Sequence, residues 1–536
     1  MKVVLLFIIL VFISQVRAST LSGFVLDTRN APISEATVQI TNQLSNQIFS
    51  TKTDKDGFYI FAQLEPGLYK IIVKKDGFQT AIRDSIFLSI ASNIKLDFVL
   101  EVGSINEIVI VKESSRELVE TNSAAVSTLI DRKFIENLPL NGRSFHSLIE
   151  LVPGIALIPS SIESPGQFSV NGQRSNANYF SVDGVSANVD TSTNFQFYQQ
   201  AAGTLPGLSV FGGTTPLASI DAIEEFRVTT SSYEAEYGRQ PGGQIQVITR
   251  RGSNRFTFTA FNYIRNDIFD ANDFFDNKNG IQRRKLRQND FGFIVGGPII
   301  LPFLYDGRNK TFFFTSYEGL RLTQPQPGAF VANVPSMSLR QAAPEPFRTV
   351  LRAFPIPNAP RQTGDPTDTE RYVIGLSYPS RSDSFSLRVD QKLSDKINFF
   401  GRYSQSPSSQ EFRAFPSQNN FYEKHLRSFT MGSTQVLSSR VTNDFRFNYS
   451  YNEGLFEFQG IEIDGAILPP DSLIFPSFVS RKNAAVSLQL STGTGTVRPA
   501  NLTQGKTTAT KQRQINIVNS LSIVLDKHQL KFGIDL

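Results

Sequence analysis

The sequence FRFNYSYN at residues 445–452 alternates aromatic and polar side chains without a break. Successive side chains of a β-strand point to opposite faces, so this stretch predicts a strand with one aromatic and one polar face. The same alternation recurs at residues 384–390 and 529–536. Soluble β-sandwiches and membrane β-barrels both use this pattern, and alternation alone leaves the two folds open.

The lengths of the connections separate the two folds. Nine strands are predicted, at residues 255–265, 289–300, 310–322, 381–393, 396–404, 428–437, 440–453, 514–525 and 528–536. Their connections alternate between long (266–288, 323–380, 405–427, 454–513) and short (near 301–309, 394–395, 438–439, 526–527). Outer-membrane barrels have short periplasmic turns and longer extracellular loops, so the spacing favours a barrel. The proline-rich loop 323–380 is expected to be exposed and partly polyproline II.

The composition excludes several classes of site. The chain has 536 residues, of which 19% are charged and 40% hydrophobic, and it contains no cysteine. Disulfides and cysteine-based zinc sites are therefore excluded. The net charge of +5 indicates a solvated surface, because nucleic-acid binding needs a clustered basic face and the tight basic run at 283–285 lies in a predicted loop.

The N-terminus has the pattern of an export signal. Lys2 precedes an apolar run at residues 3–13, and Val16-Arg17-Ala18 follows, which predicts a signal peptide over 1–18 that is cleaved after Ala18. The run is too short for a membrane helix, which needs about 20 residues. No later segment is apolar for about 18 residues, so any membrane crossing by the mature protein is expected to use a β-barrel.

Residues 19–101 predict a small β-sandwich. Short strand-like segments alternate with Asp-Gly and Pro-Gly turn signals at 56–57, 66–67 and 76–77. This region resembles the carboxypeptidase regulatory-like domain, and the resemblance implies a transthyretin-like sandwich without catalytic residues. The matching residues are Gly23, Val25, Asp27, Pro32, Ala36, Val38, Asp56, Gly57, Phe58, Tyr59, Leu64, Pro66, Gly67, Tyr69, Val73, Gly77 and Phe78.

The next segment, residues 104–113, has two possible interpretations. Its β-prone core is SINEIVIV at 104–111, which is typical of an ordinary edge strand. Its position also resembles that of a TonB box, a segment thought to pair with a TonB-type energy transducer by strand addition. The residues that would form the TonB box are Glu107, Ile108, Val109, Ile110 and Val111.

Residues 114–254 resemble the plug domain of TonB-dependent outer-membrane receptors of the Oar-like group. The matching motifs are LPLNGR (138–143), VPG (152–154), VNGQR (170–174), VDGV (182–185), IEEFRV (223–228), AEYGR (235–239) and GG (242–243). The resemblance continues through RND (265–267), GGP (296–298), KTFFF (310–314) and YEGLR (317–321). One departure is TRRGSN at 249–254, where the family pattern is TKSGTN.

Together these observations predict a mainly β protein with three parts. A transthyretin-like sandwich would be followed by an α+β plug and by the first part of a transmembrane antiparallel β-barrel at 255–536. Nine strands is an odd number, and the last one runs to residue 536. An open sheet edge in lipid is costly, so the gene is expected to continue beyond this residue.

The resemblance implies a receptor-transporter in the cell outer membrane, in contact with its lipid. It would bind an extracellular ligand and import it with energy from a TonB-type transducer. The alternative is a surface adhesin or scaffold whose N-terminal sandwich binds carbohydrate. No enzyme is predicted, with no catalytic, cofactor-binding or metal-binding residue, because His146, His425 and His528 fall outside any known catalytic motif.

Overall fold

A computed structural model describes residues 19–64, 66–89, 92–103, 108–111, 125–137, 148–158, 167–174, 177–189, 219–233, 237–278, 280–326, 328–438, 440–490, 497–525 and 528–536. The predicted signal peptide, with Ala18, lies outside these residues, as do Glu107 and His146. The described chain is mainly β-structure, as the sequence predicts.

The N-terminal sandwich consists of two sheets around one apolar core. Its strands are β1 (Ser19–Asp27), β2 (Thr37–Asn42), β3 (Ile48–Lys52), β4 (Phe58–Leu64), β5 (Gly67–Lys74), β6 (Thr80–Leu88), β7 (Asn93–Lys95), β8 (Phe98–Leu100) and β9 (Ile108–Val111). One sheet has the order β4-β1-β7 with β8 also on β1, and the other has the order β3-β2-β5-β6-β9. Alternate residues of β2 and β5 point inward and are fully buried, including Val38, Ile40, Ile71 and Val73.

The described residues between 125 and 249, called the plug region below, form a smaller α+β unit. Its strands are β10 (Val126–Asp131), β11 (Ile155–Ile158), β12 (Gln167–Val170), β13 (Tyr179–Val182), β14 (Val185–Ser186), β15 (Ile223–Ser231) and β16 (Gln244–Thr249), with helix α1 at Arg132–Asn137 and a 3-10 turn at Ile220–Ala222. The main sheet has the order β10-β15-β16-β13-β14. Phe180 and Phe226 of this sheet and Phe168 of the separate β11–β12 pair are buried in one core.

The remainder of the chain forms a ten-stranded antiparallel sheet, called the wall. Its strands are β17 (Thr257–Asn266), β18 (Arg287–Pro298), β21 (Thr311–Pro325), β24 (Ser377–Ser394), β25 (Ile397–Phe415), β26 (Gln418–Ser438), β27 (Val441–Gly460), β28 (Ala485–Gln489), β29 (Asn501–Leu525) and β30 (His528–Asp535). These include all nine predicted strands. Strands β25, β26, β27 and β29 have 19 to 25 residues. They exceed the roughly 10 residues that cross a bilayer, so they continue well beyond it at the long-loop end.

The burial pattern of the wall is the reverse of a soluble sandwich. In β27 the aromatic residues of the opening motif are more exposed than the polar ones: Tyr449 is 38% exposed, whereas Asn448 and Asn452 are 1% and 0% exposed. Side chains such as Ile515 also lie on the outer face, at 60% exposure. Apolar-out and polar-in alternation is the pattern of a strand between lipid and a polar interior. This removes the ambiguity that alternation left in the sequence.

The long connections are folded in large part, and the expectation of an exposed segment at 323–380 is wrong for its hairpin and helices, whereas residues such as Pro344, Pro346 and Pro360 are exposed. Strand β21 runs to Pro325, and the loop then forms a hairpin of β22 (Phe330–Pro335) and β23 (Thr369–Ile374). Between them lie helices α3 (Met337–Ala342) and α4 (Phe347–Leu351). Its apolar residues form a core with Ala500, which directly precedes β29, and with Leu502 of β29. Proline is tolerated because Pro335 ends a strand rather than interrupting it.

The remaining elements are short. Strands β19 (Ile300–Leu301) and β20 (Tyr305–Asp306) form a small hairpin in one short connection. Helix α2 (Phe274–Lys278) and α5 (Asp471–Ile474) lie in long connections, and a 3-10 turn occupies Asp267–Phe269. In the part of the chain that the structure describes, no helix combines the length and apolar character needed to cross a membrane.

Candidate functional site: the contact between plug region and wall

The plug region contacts the wall through a tight hairpin. Asp183 and Gly184 join β13 to β14, and both have positive φ, 51° and 84°. Two-residue hairpins favour Asp-Gly because both central residues adopt this left-handed backbone conformation. The turn buries Asp183, which is 5% exposed, against the polar inner face of the wall. The VDGV motif at 182–185 is therefore the turn that places Asp183 against the wall.

Asp183 lies between two arginines of the wall. Its Oδ1 is 3.2 Å from Nη1 of Arg388 on β24, and its Oδ2 is 2.9 Å from Nε of Arg402 on β25. Thr249, at the end of β16, donates its backbone N–H to Oδ1 at 3.0 Å and its hydroxyl to Oδ2 at 2.9 Å. Arg388 also pairs with Asp390 at 2.7 Å. Two carboxylates and two guanidinium groups thus balance in charge, and this set is called the ion cluster below.

Burial and charge act in opposite directions on the Asp183 carboxyl. Burial disfavours its ionised form, but the guanidinium groups of Arg402 and Arg388 and the hydrogen bonds from Thr249 favour it. The net result is a pKa below the ordinary value of the group. A buried pair of this kind holds its partners in one geometry, and losing either partner leaves an uncompensated charge in the interior.

The ring of Phe400 lies next to two arginine side chains of the wall. The Cζ atom of Arg388 lies 4.3 Å from the centroid of the Phe400 ring, and that of Arg446 lies 5.1 Å from it. Cations are attracted to ring faces at such distances. Gly432 provides the space, because a Cβ atom there would lie 2.5 Å from Arg446 Cδ and 2.6 Å from Phe400 Cε1. Arg446 pairs in turn with Asp444.

Further polar contacts attach the plug region to other wall strands. The backbone N–H of Ser186 donates to Oδ1 of Asn516 on β29 at 2.9 Å. The side-chain amide of Asn452 on β27 donates to the carbonyl of Val189 at 3.1 Å. Ser219 donates its hydroxyl to Glu318 on β21. Most of these contacts are hydrogen bonds and ion pairs. The described residues share one small apolar cluster across the interface, in which Ala222 of the 3-10 turn packs with Ile294 of β18 and Phe314 of β21.

The loop end of the wall has a different inner face. Tyr378, Phe412, Tyr422 and Phe456 stand on four neighbouring strands and are at most 8% exposed. Their rings form a continuous row, with centroids 6.2, 5.3 and 4.7 Å apart. Leu376 packs against both this row and the core of the β22–β23 hairpin. We call Tyr378, Phe412, Tyr422 and Phe456 the aromatic row.

Buried polar groups fix the loop above the aromatic row. Arg340 of α3 donates to the carbonyls of Pro335, Phe354 and Pro355 at 3.0, 3.0 and 2.6 Å. Burial lowers the pKa of this guanidinium to about 10. Tyr372 donates its hydroxyl to Asp464 of the next long connection, so two loops are joined. The loops therefore form one folded cover at this end of the wall.

The structure gives a definite position to four of the five residues predicted as a TonB box. Ile108, Val109, Ile110 and Val111 form β9, which pairs in parallel with β6 as the last strand of the sandwich sheet. The segment is thus an edge strand, which is compatible with both interpretations of its sequence. His425 lies on β26, 3.0 Å from Glu423, and His528 begins β30. Within the described ranges, no three His, Asp or Glu side chains are grouped to hold a metal ion.

The comparisons with known proteins agree with this architecture. A family model described as an outer membrane beta barrel domain matches residues 248–349 and 344–536, more than half of the chain. The chain belongs to this outer-membrane β-barrel family. A second model, the carboxypeptidase regulatory-like domain, matches residues 20–101. The protein is accordingly located in the outer membrane.

Individual relatives are transporters and receptors. The TonB-dependent transporter Oar of Myxococcus xanthus is 26% identical over 318 residues, which cover 56% of this chain and 26% of that protein. The chain thus spans about a quarter of the curated relative's length. The outer-membrane transporter YddB of Escherichia coli has a TM-score of 0.49 at 11% identity, covering 76% of this chain and 47% of YddB. The alcaligin receptor FauA of Bordetella pertussis has a TM-score of 0.38 at 9% identity, covering 77% and 62%.

Sequence reasoning identified the motif around Asp183 but not its role. Arg388 was recognised only as a polar position in an alternating strand, and Arg402 was not singled out. A usable signal was present, because arginines on the inner face of a membrane strand need a buried partner. The identity of that partner was not readable, since 205 residues separate Asp183 from Arg388.

Proposed function

We propose that this chain acts in a TonB-dependent receptor-transporter, which binds an extracellular ligand and imports it with energy from a TonB-type transducer. Its partners would be this transducer, the ligand and outer-membrane lipid. It would not be an enzyme or bind nucleic acid. The observation that carries the proposal is the ion cluster, which holds a small folded unit against the polar inner face of a membrane wall.

The chemistry of the contact supports transport. Polar groups that separate can be solvated by water, whereas separating an apolar core exposes surface that water disfavours. A contact made mostly of ion pairs and hydrogen bonds, with only a small apolar cluster, can therefore open and close in an aqueous lumen. The ligand would enter at the long-loop end of the wall. There the folded loops lie above the aromatic row and would face the cell exterior.

A panel of large solutes tests the proposal. Uptake of cobalamin, several ferric siderophores and oligosaccharides would be compared in wild-type cells, in cells lacking this receptor and in cells lacking the transducer. The proposal expects at least one solute whose uptake requires both proteins. Receptor-dependent uptake that continues at full rate without the transducer would contradict energy coupling.

The adhesin alternative predicts a different place for the sandwich. Asn46 of the sandwich donates to Asn309 at 3.1 Å, and Asn309 lies in a short connection of the wall. Short connections are typical of the periplasmic end, which supports a periplasmic sandwich. On intact cells, an impermeant maleimide should label Thr363→Cys in the long loop but not Lys55→Cys in the sandwich. Equal labelling of the two would favour surface display and the adhesin.

A further inference from the structure

The sandwich is joined through one strand both to the predicted TonB box, whose described residues form β9 and are called the coupling segment below, and to the plug region. Strand β6 pairs with β9 over its first four residues, with Thr80 opposite Ile108 and Arg83 opposite Val111. Ser89 directly follows β6, and its hydroxyl accepts a hydrogen bond from Nη2 of Arg227 on β15 at 3.3 Å. The two ends of one strand thus contact the coupling segment and the plug sheet.

The contact between Ser89 and the plug region is buried and held on several sides. Ser19, Ser89 and Ser92 are 1%, 8% and 3% exposed. The hydroxyls of Ser19 and Ser92 both donate to the carbonyl of Ser89. Arg227 is itself 7% exposed. A buried polar group with several partners has little freedom to shift. A movement of β6 should therefore move Arg227 and its strand β15 as well.

From Arg227 the connection continues to the ion cluster through backbone hydrogen bonds. Strand β15 pairs with β16, and β16 pairs in parallel with β13, whose turn carries Asp183. The sandwich has two other contacts near the short connections of the wall. The carbonyl of Leu44 accepts from the backbone N–H of Asn254 at 3.2 Å, and the side-chain amide of Asn46 donates to Asn309. The Asn46 contact is exposed and is therefore the weaker attachment.

Strand β9 is also able to accept a partner without leaving the sandwich. It is the last strand in the order β3-β2-β5-β6-β9, so among the described strands only β6 pairs with it. The opposite edge of such a strand is a template for a further strand, and its ordering has already been achieved by the sandwich. A pull along β9 also acts on all hydrogen bonds of the β6–β9 pair at once, because they run side by side.

We propose that the sandwich is the mechanical link between transducer and plug region: the transducer pairs with the outer edge of β9 while β9 stays on β6, and β6 passes the pull to β15 through Ser89 and Arg227. This inference rests on the proposed function, because it assigns the route of a TonB-driven pull. The direct route, along the chain from β9 into the plug region, would bypass the sandwich.

An insertion separates the two routes. Ten Gly/Ser residues placed directly after Val111 slacken the direct connection and leave the β6 route intact. The readout is maleimide labelling of Ser186→Cys, a site buried between plug region and wall, in energised cells supplied with the solute that the panel identifies. We expect labelling within about twofold of the uninserted chain. A fall to the level of cells without transducer would overturn the proposal.

A matched variant breaks the route through the sandwich instead. Ser89→Ala combined with Arg227→Leu removes the contact between β6 and β15, and should reduce energised labelling at least fivefold without the insertion. Ser50→Ala, at an exposed position of β3, is the control and should leave labelling unchanged. Unchanged labelling in the double variant would overturn the proposal.

A disulfide tests whether β9 stays in place. Ile82 and Ile110 are opposite each other in the β6–β9 pair, and the chain has no other cysteine to interfere with Ile82→Cys/Ile110→Cys. The purified oxidised receptor should capture the transducer's periplasmic domain within about twofold of the reduced receptor. Capture only after reduction would show that β9 must leave β6 and would overturn the proposal. If wild-type labelling does not depend on the transducer, the proposed function itself fails, and this inference fails with it.

Discussion

The inner faces of strands β24 to β27 differ between their two ends, although the same alternation generates both. Towards the short connections the inward residues are charged or polar, as at Arg388 and Arg402, and these two arginines contact the plug region. Towards the long loops they are the aromatic row, and they meet a folded cover. The difference teaches that the wall contacts its folded loops through apolar side chains at one end and the plug region mainly through polar side chains at the other.

The largest expected effect comes from removing the central carboxylate of the polar end. Asp183→Ala leaves Arg388 and Arg402 buried without their shared counter-charge, which should cost about 3–5 kcal/mol of plug–wall stability. Cells should become sensitive to vancomycin, which an occupied lumen excludes. The control is Asp306→Ala, whose exposed pair with Arg308 should contribute little. Unchanged resistance in Asp183→Ala would contradict the importance of the ion cluster.

A smaller effect is expected at the aromatic end. Phe456→Leu keeps an apolar side chain but loses ring contacts with Tyr422 and Phe458, whose centroids lie 4.7 and 4.6 Å away. The loss should be about 1–2 kcal/mol, measured as thermal stability in detergent. Vancomycin resistance should not change. Phe447→Leu, on the lipid-facing side of the same strand, is the control, and equal losses in both variants would contradict a packed aromatic row.

The sequence predicts these two ends unequally. Alternation and connection lengths identified all nine long strands, because each depends on local periodicity. The extension of β27 from residue 453 to Gly460 was missed because the alternation changes phase there. Aromatic residues stand at odd positions in 445–451 but at even positions, 456 and 458, in the extension. The loop hairpin was missed because its core is formed with Leu502, more than a hundred residues away. Tertiary partners of this kind leave no local pattern.

The smallest expected effect is a change of stability with pH, which should occur at the polar end of the wall and not at the aromatic end. Because the pKa of Asp183 is lowered in the folded protein, its charge contributes fully above the ordinary value near 3.8, and the contribution is lost as the pH falls through the lowered pKa. The stability difference between wild type and Asp183→Asn should therefore be constant from about pH 8 to pH 5 and shrink only below about pH 4. Phe456→Leu should show no such change. A difference that already shrinks near pH 6 would contradict a lowered pKa.

The central claim, that the polar contact opens during transport, is tested most directly by locking it. Ser186 and Asn516 contact each other across the interface between plug region and wall, and the chain contains no native cysteine. In Ser186→Cys/Asn516→Cys, uptake of the panel solute should stop when the disulfide is formed and return on reduction, while each single variant transports normally. Transport at the wild-type rate with the disulfide intact would contradict the account.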